Sequence, residues 1–213
     1  MKRLLFLLML LISNCMSHHT DKEAQFWIWF NANQNRYYEL KENQNKLFNE
    51  LSAQLERIDS GLVFEFSPIH SDGVRELTIS ADGIKKHFPA VQSLVSKAPL
   101  IAKWKINAFR QRVPGDSMQI EYDDSIKISY QDIFFRYAKD SGRIALELNI
   151  RKFDDSPEEK NAIFILLDGL IGEYDMETQI SSIEFKILDD SNMDNYTPLI
   201  YLREVVDENK KIH

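Results

Sequence analysis

The chain has 213 residues, with 33 acidic against 26 basic side chains and a formal net charge of −7. A negative body argues against sequence-independent binding of nucleic acid, which draws its affinity from Lys and Arg set against phosphates. One cysteine excludes an internal disulfide, so stability must come from the core, for which this length is ample.

At the N-terminus, Met1-Lys2-Arg3 precedes an apolar run over residues 4–12 and then Ser13-Asn14-Cys15. Two positive charges before a short apolar core are the layout of a secretory signal, and the charged end stays on the cytoplasmic side. Nine apolar residues fall far short of the roughly 20 that a helical span needs. Leu11-Ile12-Ser13-Asn14-Cys15 resembles the bacterial lipobox, in which a cysteine becomes lipidated directly after a small residue. It departs from that pattern at Asn14, where Gly, Ala or Ser usually stands. The resemblance implies a signal peptide over 1–14, a diacylglycerol (palmitate-type) anchor on Cys15, a tether over 15–22 and a single domain over 23–213. Two alternatives stand beside it: a signal cleaved elsewhere, and a cytosolic chain with an incidental apolar start. Loss of Lys2 and Arg3 with the signal takes the net charge from −7 to −9. The seven residues from Met16 to Lys22 would span at most about 25 Å when extended, which keeps the body near the bilayer. His18 and His19 in this tether could help bind a metal, but read better as an exposed polar spacer.

From residue 23 to 58, apolar positions recur at three- and four-residue steps and predict a long helix, with weak helix formers over 31–35 as its candidate break. Trp27 and Trp29 admit a membrane-interface reading, although packing of the helix against a sheet accounts for them better. Residues 62–68 and 74–81 alternate around a His70-Ser71-Asp72-Gly73 turn and predict an antiparallel hairpin. A short amphipathic helix follows over 84–98, with Pro89 admissible only near its start. A strand over 104–112 comes next, then one or two short strands over 118–129. Residues 133–138 and 143–153 flank Lys139-Asp140-Ser141-Gly142, a second hairpin. Ser156 can cap a helix that runs to about 174 and is almost wholly apolar over 162–171, hence buried. A strand over 181–188 and a helix over 198–209 close the chain. No repeat or linker is visible. The fold class is α+β: an antiparallel-rich sheet of hairpins, helices packed mainly on one face, and a long N-terminal helix.

Four stretches, Phe26-Trp27-Ile28-Trp29-Phe30, Leu62-Val63-Phe64-Glu65-Phe66-Ser67-Pro68, Arg75-Glu76-Leu77-Thr78-Ile79-Ser80-Ala81-Asp82-Gly83 and Phe88-Pro89-Ala90-Val91, resemble an uncharacterised bacterial protein family. The resemblance covers most of residues 23–207. It implies one compact domain and brings no reaction with it.

Motifs for chemistry are sparse. There is no Gly-x-Ser-x-Gly elbow, no glycine-rich phosphate loop and no His-Glu-x-x-His or Cys-x-x-Cys spacing. The acidic stretch 189–194 offers oxygen atoms for calcium, but it lacks the turn glycine and distal glutamate of a hand-type loop. Glu121 with Asp123 and Asp124 reads as an acidic turn. Neither a metal nor a cofactor is expected. The remaining candidates are polar residues inside strands: Glu65, Glu147, Arg110 and Arg112, with Thr78, Ser80 and Asn149 nearby by alternation. On adjacent strands they would form one face able to hold a polar ligand, since Arg grips carboxylate or phosphate in two-point fashion. A glutamate there could also serve as a general acid or base. The competing account is a solvent-facing sheet with cross-strand ion pairs. His70 and His87, near turns, read as surface residues. The sequence therefore points to a lipid-anchored, non-catalytic binding or interaction module of the bacterial cell envelope. Its partners would be the membrane, through Cys15, and a protein or small polar ligand. A hydrolase using the Glu/Arg set is the alternative.

Overall fold

A computed structural model describes residues 21–41, 43–122 and 126–212. Cys15, His18, His19, Asp123 and Asp124 lie outside the described residues.

Helix α1 (Lys22–Glu39) starts because the Asp21 carboxylate accepts from the backbone N–H groups of Glu23 and Ala24. It buries Phe26, Trp27, Phe30 and Tyr37. Trp27 is thus a core residue, and its indole N–H donates to the Leu94 carbonyl at 2.8 Å. The expected single helix over 23–58 is two helices. The break falls at Leu40, held in the left-handed region at φ 47°, and not within 31–35. Asn and Gln in that segment cost a few tenths of a kcal/mol each, which the aromatic packing on either side overrides. Asn43 then caps α2 (Gln44–Glu56), which buries Leu47, Leu51 and Leu55.

β1 (Val63–Phe66) pairs antiparallel with β2 (Arg75–Ser80), as the alternation requires. After α3 (Phe88–Ser96), with Pro89 in its first turn, the chain returns as β3 (Trp104–Ala108), parallel to β2. The strand expected to run to 112 stops at Ala108, because Phe109 takes φ 66°. Two short strands, β4 (Gln119–Tyr122) and β5 (Ile126–Ser129), form a separate ribbon.

The second half repeats the plan of the first. β6 (Ile133–Asp140) and β7 (Arg143–Ile150) form an antiparallel hairpin, and β8 (Ile180–Ile187) returns parallel to β7 after a helical crossover. That crossover is one expected helix divided in two. Gly172, at φ 86°, separates α4 (Pro157–Ile171) from α5 (Glu173–Gln179), a conformation that favours glycine. β9 (Thr197–Pro198) extends the sheet beyond β6, and α6 (Leu202–Ile212) ends the chain. The fold is α+β with mostly antiparallel strands. Both halves are a hairpin, a helix and a parallel third strand, in sheet orders β1-β2-β3 and β6-β7-β8.

Buried side chains gather in two cores. The N-terminal core joins α1, α2 and α3 to the inner face of the first sheet through Leu77 and Ile79. The C-terminal core joins α4 and α6 to Leu146, Leu148 and Ile150. Glu173, fully buried at the start of α5, ties the halves together. Its carboxylate accepts from the backbone N–H groups of Ala81 (3.2 Å), Gly83 (3.0 Å) and Arg110 (3.0 Å). Phe88 and Phe109 of the first half pack on Tyr174 of the second.

Candidate functional site

The polar face of the first sheet follows from its register. Glu65 on β1 is opposite Thr78 on β2, which is opposite Asn107 on β3, and Glu76 is opposite Lys105. Alternation turns Leu77 and Ile79 inward and these residues outward. What they face is α4 and the start of α5. Between sheet and helix lies a cleft of about 1010 Å³, with Asn161, Phe164, Asp168 and Glu177 on the helical wall.

Arg110 stands at the centre. Leaving the strand at Phe109 places its guanidinium across the cleft floor. It donates through Nε to Glu65, through Nη2 to Asp82 Oδ1 at 2.5 Å, and lies 3.8 Å from Asp168 Oδ2 through Nη1. Burial opposes its charge, but the Asp82 and Glu65 carboxylates outweigh that and raise its pKa. At the cleft's outer end, Glu76 accepts from Lys105 at 3.1 Å and from Asn107, with His70 Nε2 3.4 Å away. Burial would raise the Glu76 pKa, yet these donors bring it below its ordinary value.

Asp168 differs from Glu65, Glu76 and Asp82, whose carboxylates all accept side-chain hydrogen bonds. Among the described residues its carboxyl accepts no hydrogen bond, and Arg110 at 3.8 Å is its only ion-pair partner. Burial, then the charge of Glu173, push its pKa up to about 7, with Arg110 only partly offsetting them. It therefore exchanges a proton near neutrality, in a cleft open to solvent.

The four residues singled out in the sequence divide. Glu65 and Arg110 form a pair at the cleft floor. Arg112 also lines the cleft, but its guanidinium is occupied elsewhere: it grips Asp207 at 2.8 and 3.0 Å, Asp175 at 2.9 Å and the Ile171 carbonyl at 2.9 Å. It is a clasp between the β3–β4 connection and α5 and α6. Glu147 does not join them. The expectation of one shared face fails because β7 belongs to the other sheet. There Glu147 accepts from Arg136, Asn149 and Lys186. Burial disfavours its charge, but these three donors hold its pKa at about 2, so it is a fixed anion and a poor proton carrier. Arg110 and Arg112 also lie outside the strand expected to carry them, because β3 ends at Ala108.

The other candidates are accounted for locally. His70 borders the cleft, whereas His87 is tucked against Gly61 and pairs with Asp59 at 2.7 Å, so it is not a surface residue. Asp189 caps the Ser191 N–H and Asp190 pairs with Arg151 at 2.6 Å. The described residues contain no group of three or more His, Cys, Asp or Glu placed to hold a metal ion. Asp168, Asp82 and Glu173 were not singled out in the sequence. A signal for Asp168 was present, since it is the only charged residue in the apolar run 162–171.

The architecture is thus a pair of hairpin–helix–strand units with a charged cleft at their junction. Comparison with family models, curated proteins and solved structures gave no significant match.

Proposed function

We propose that this chain is a lipid-anchored binding module of the bacterial cell envelope, held at a membrane through Cys15, and that the cleft between its two units takes a polar ligand or a segment of a partner protein. The observation that carries the reading is the make-up of the cleft, whose walls offer both donors and acceptors around Arg110 with no assembled nucleophile. The signal-like N-terminus, the lipobox-like Cys15 and the resemblance to an uncharacterised bacterial family support the location. No helix among the described residues is long and apolar enough to cross a membrane.

Growth with labelled palmitate is expected to label the wild type, and Cys15→Ser to abolish label and membrane retention together. Retention of the unlabelled variant would overturn the anchor. A photo-crosslinking residue at Gln111, in the cleft, is expected to capture partners or ligands that one at Glu208, on α6, does not. Equal capture at both would overturn the cleft as the binding site.

One observation favours a second reading, an envelope hydrolase. A carboxyl titrating near pH 7 beside an arginine, as Asp168 does, suits general acid–base work. On that reading Asp168→Asn would lower activity on the cognate ester or glycoside at least 100-fold, with a lost limb in the pH–rate profile.

A further inference from the structure

The loop joining α3 to β3 has a composition that the fold does not explain. It reads Lys97-Ala98-Pro99-Leu100-Ile101-Ala102-Lys103. Ile101 points into the core, while Pro99 and Ala102 are exposed and Leu100 is fully exposed. A leucine presented whole to solvent between two lysines has no packing role in the isolated chain. Single exposed apolar residues are common, so position is what distinguishes this one.

That position is set by the root of the tether. Lys97 Nζ lies 3.0 Å from the Asp21 carboxylate and also bonds Glu23. Asp21 is where the described chain begins, six residues after Cys15. Six residues reach about 20 Å at most, and Leu100 is only three residues from Lys97. The lipid on Cys15 would therefore bring the bilayer within reach of this loop. Charge at the root also permits contact. Lys22 and Lys97 balance Asp21 and Glu23 there, in a chain whose net charge is −7. The excess of acid lies elsewhere, so this region would not be repelled by anionic headgroups.

We infer that the Leu100 loop is a membrane-docking tip: the lipidated protein rests on the bilayer with Pro99 and Leu100 inserted at the headgroup level and Lys103 beside phosphates. The inference rests on the lipid anchor proposed above. Docking would fix the body's orientation and remove the freedom that a bare tether leaves. The Trp27 and Trp29 pair, which invited a membrane reading in the sequence, would take no part. Trp27 is buried in the N-terminal core, and Trp29 packs against that core with its ring tilted against Tyr37.

The test uses the full lipidated chain. Once Cys15 carries lipid, Leu100→Cys provides the only free thiol, and Ser141→Cys, in the exposed turn between β6 and β7, provides a control. Each is labelled with an environment-sensitive fluorophore and reconstituted into vesicles of phosphatidylethanolamine and phosphatidylglycerol. The label at 100 is expected to shift to the blue and to be quenched at least twofold more than the label at 141 by lipids spin-labelled near the headgroup. Equal quenching at the two sites, in protein shown by palmitate label to be lipidated, would overturn the docking tip and leave the anchor standing. Absence of lipid on the wild type would overturn both. Leu100→Asp supplies a second readout, with unchanged retention but faster rotational diffusion of the Ser141→Cys label. Unchanged rotation in Leu100→Asp would count against docking.

Discussion

Asp168 and Glu173 are five residues apart and both are carboxylates in low-dielectric surroundings, yet their surroundings treat them differently. Glu173 receives three backbone N–H donors. Asp168 receives none and has its pKa pushed from 3.8 up to about 7. A group whose folded pKa is raised above its unfolded value stabilises fully below the unfolded pKa and loses that contribution as pH rises through the folded one. For Asp168 the loss therefore falls between about pH 4 and 7. A shift of this size corresponds to at most about 4 kcal/mol, which residual exposure of the side chain reduces. Wild type is expected to lose on the order of 2 kcal/mol between pH 5 and 8 relative to Asp168→Asn, read by urea unfolding at both pH values. Parallel losses in the two proteins would refute this. Glu173→Ala has the opposite character. It leaves three N–H groups without their acceptor, and a cost of about 3–5 kcal/mol is expected at neutral pH from the same measurement.

Among the elements, the β6–β7 hairpin has the most local specification. Ser141 and Gly142 sit at φ 50° and 83° between the paired residues Asp140 and Arg143. Both central positions of this two-residue turn thus require the left-handed region, the geometry for which Asn-Gly is the preferred pair. Ser141→Asn is expected to raise stability by about 0.5 kcal/mol, seen as a melting temperature higher by about 1–2 °C; a decrease would mean that the turn is of another type. Hairpins of this kind are legible in sequence because turn chemistry and alternation are both local. The end of β3 is not. Nothing in Phe109 itself signals φ 66°. Its ring packs on Phe88 and Tyr174, and its N–H bonds the Ile79 carbonyl at 2.8 Å. These tertiary contacts outweigh the strand preference of an aromatic residue. The division at Gly172 was within reach, since a glycine after an apolar run is a helix stop. The break at Leu40 was not, because leucine is a strong helix former.

For the whole molecule, the question is how two cores behave as one body. Glu173, the Tyr174 ring and Arg112 with Asp175 and Asp207 span the junction. All three tryptophans, Trp27, Trp29 and Trp104, belong to the N-terminal core, so their fluorescence reports on that half alone. In the wild type, fluorescence and far-ultraviolet circular dichroism are expected to trace one unfolding transition. Arg112→Leu strips Asp175 and Asp207 of their shared partner. It is expected to cost about 2–4 kcal/mol and to separate the two traces along the denaturant axis. Coincident traces in the variant would show that Arg112 does not couple the halves.

The residue pattern alone determined the order and type of most elements, both hairpins, the burial of α4 and the α+β class, because periodicity and turn chemistry are properties of neighbouring residues. It also carried the signal-like N-terminus and Cys15, where short segments are read as such. Only the tertiary structure decided which strands are neighbours, and with that the site. It placed Glu147 in a second sheet, diverted Arg112 into a clasp, and set Asp168 opposite Arg110 across a cleft. Those outcomes depend on contacts between residues tens of positions apart. Their energies are fixed by shared burial and by which charges meet there, quantities that no local stretch of sequence contains.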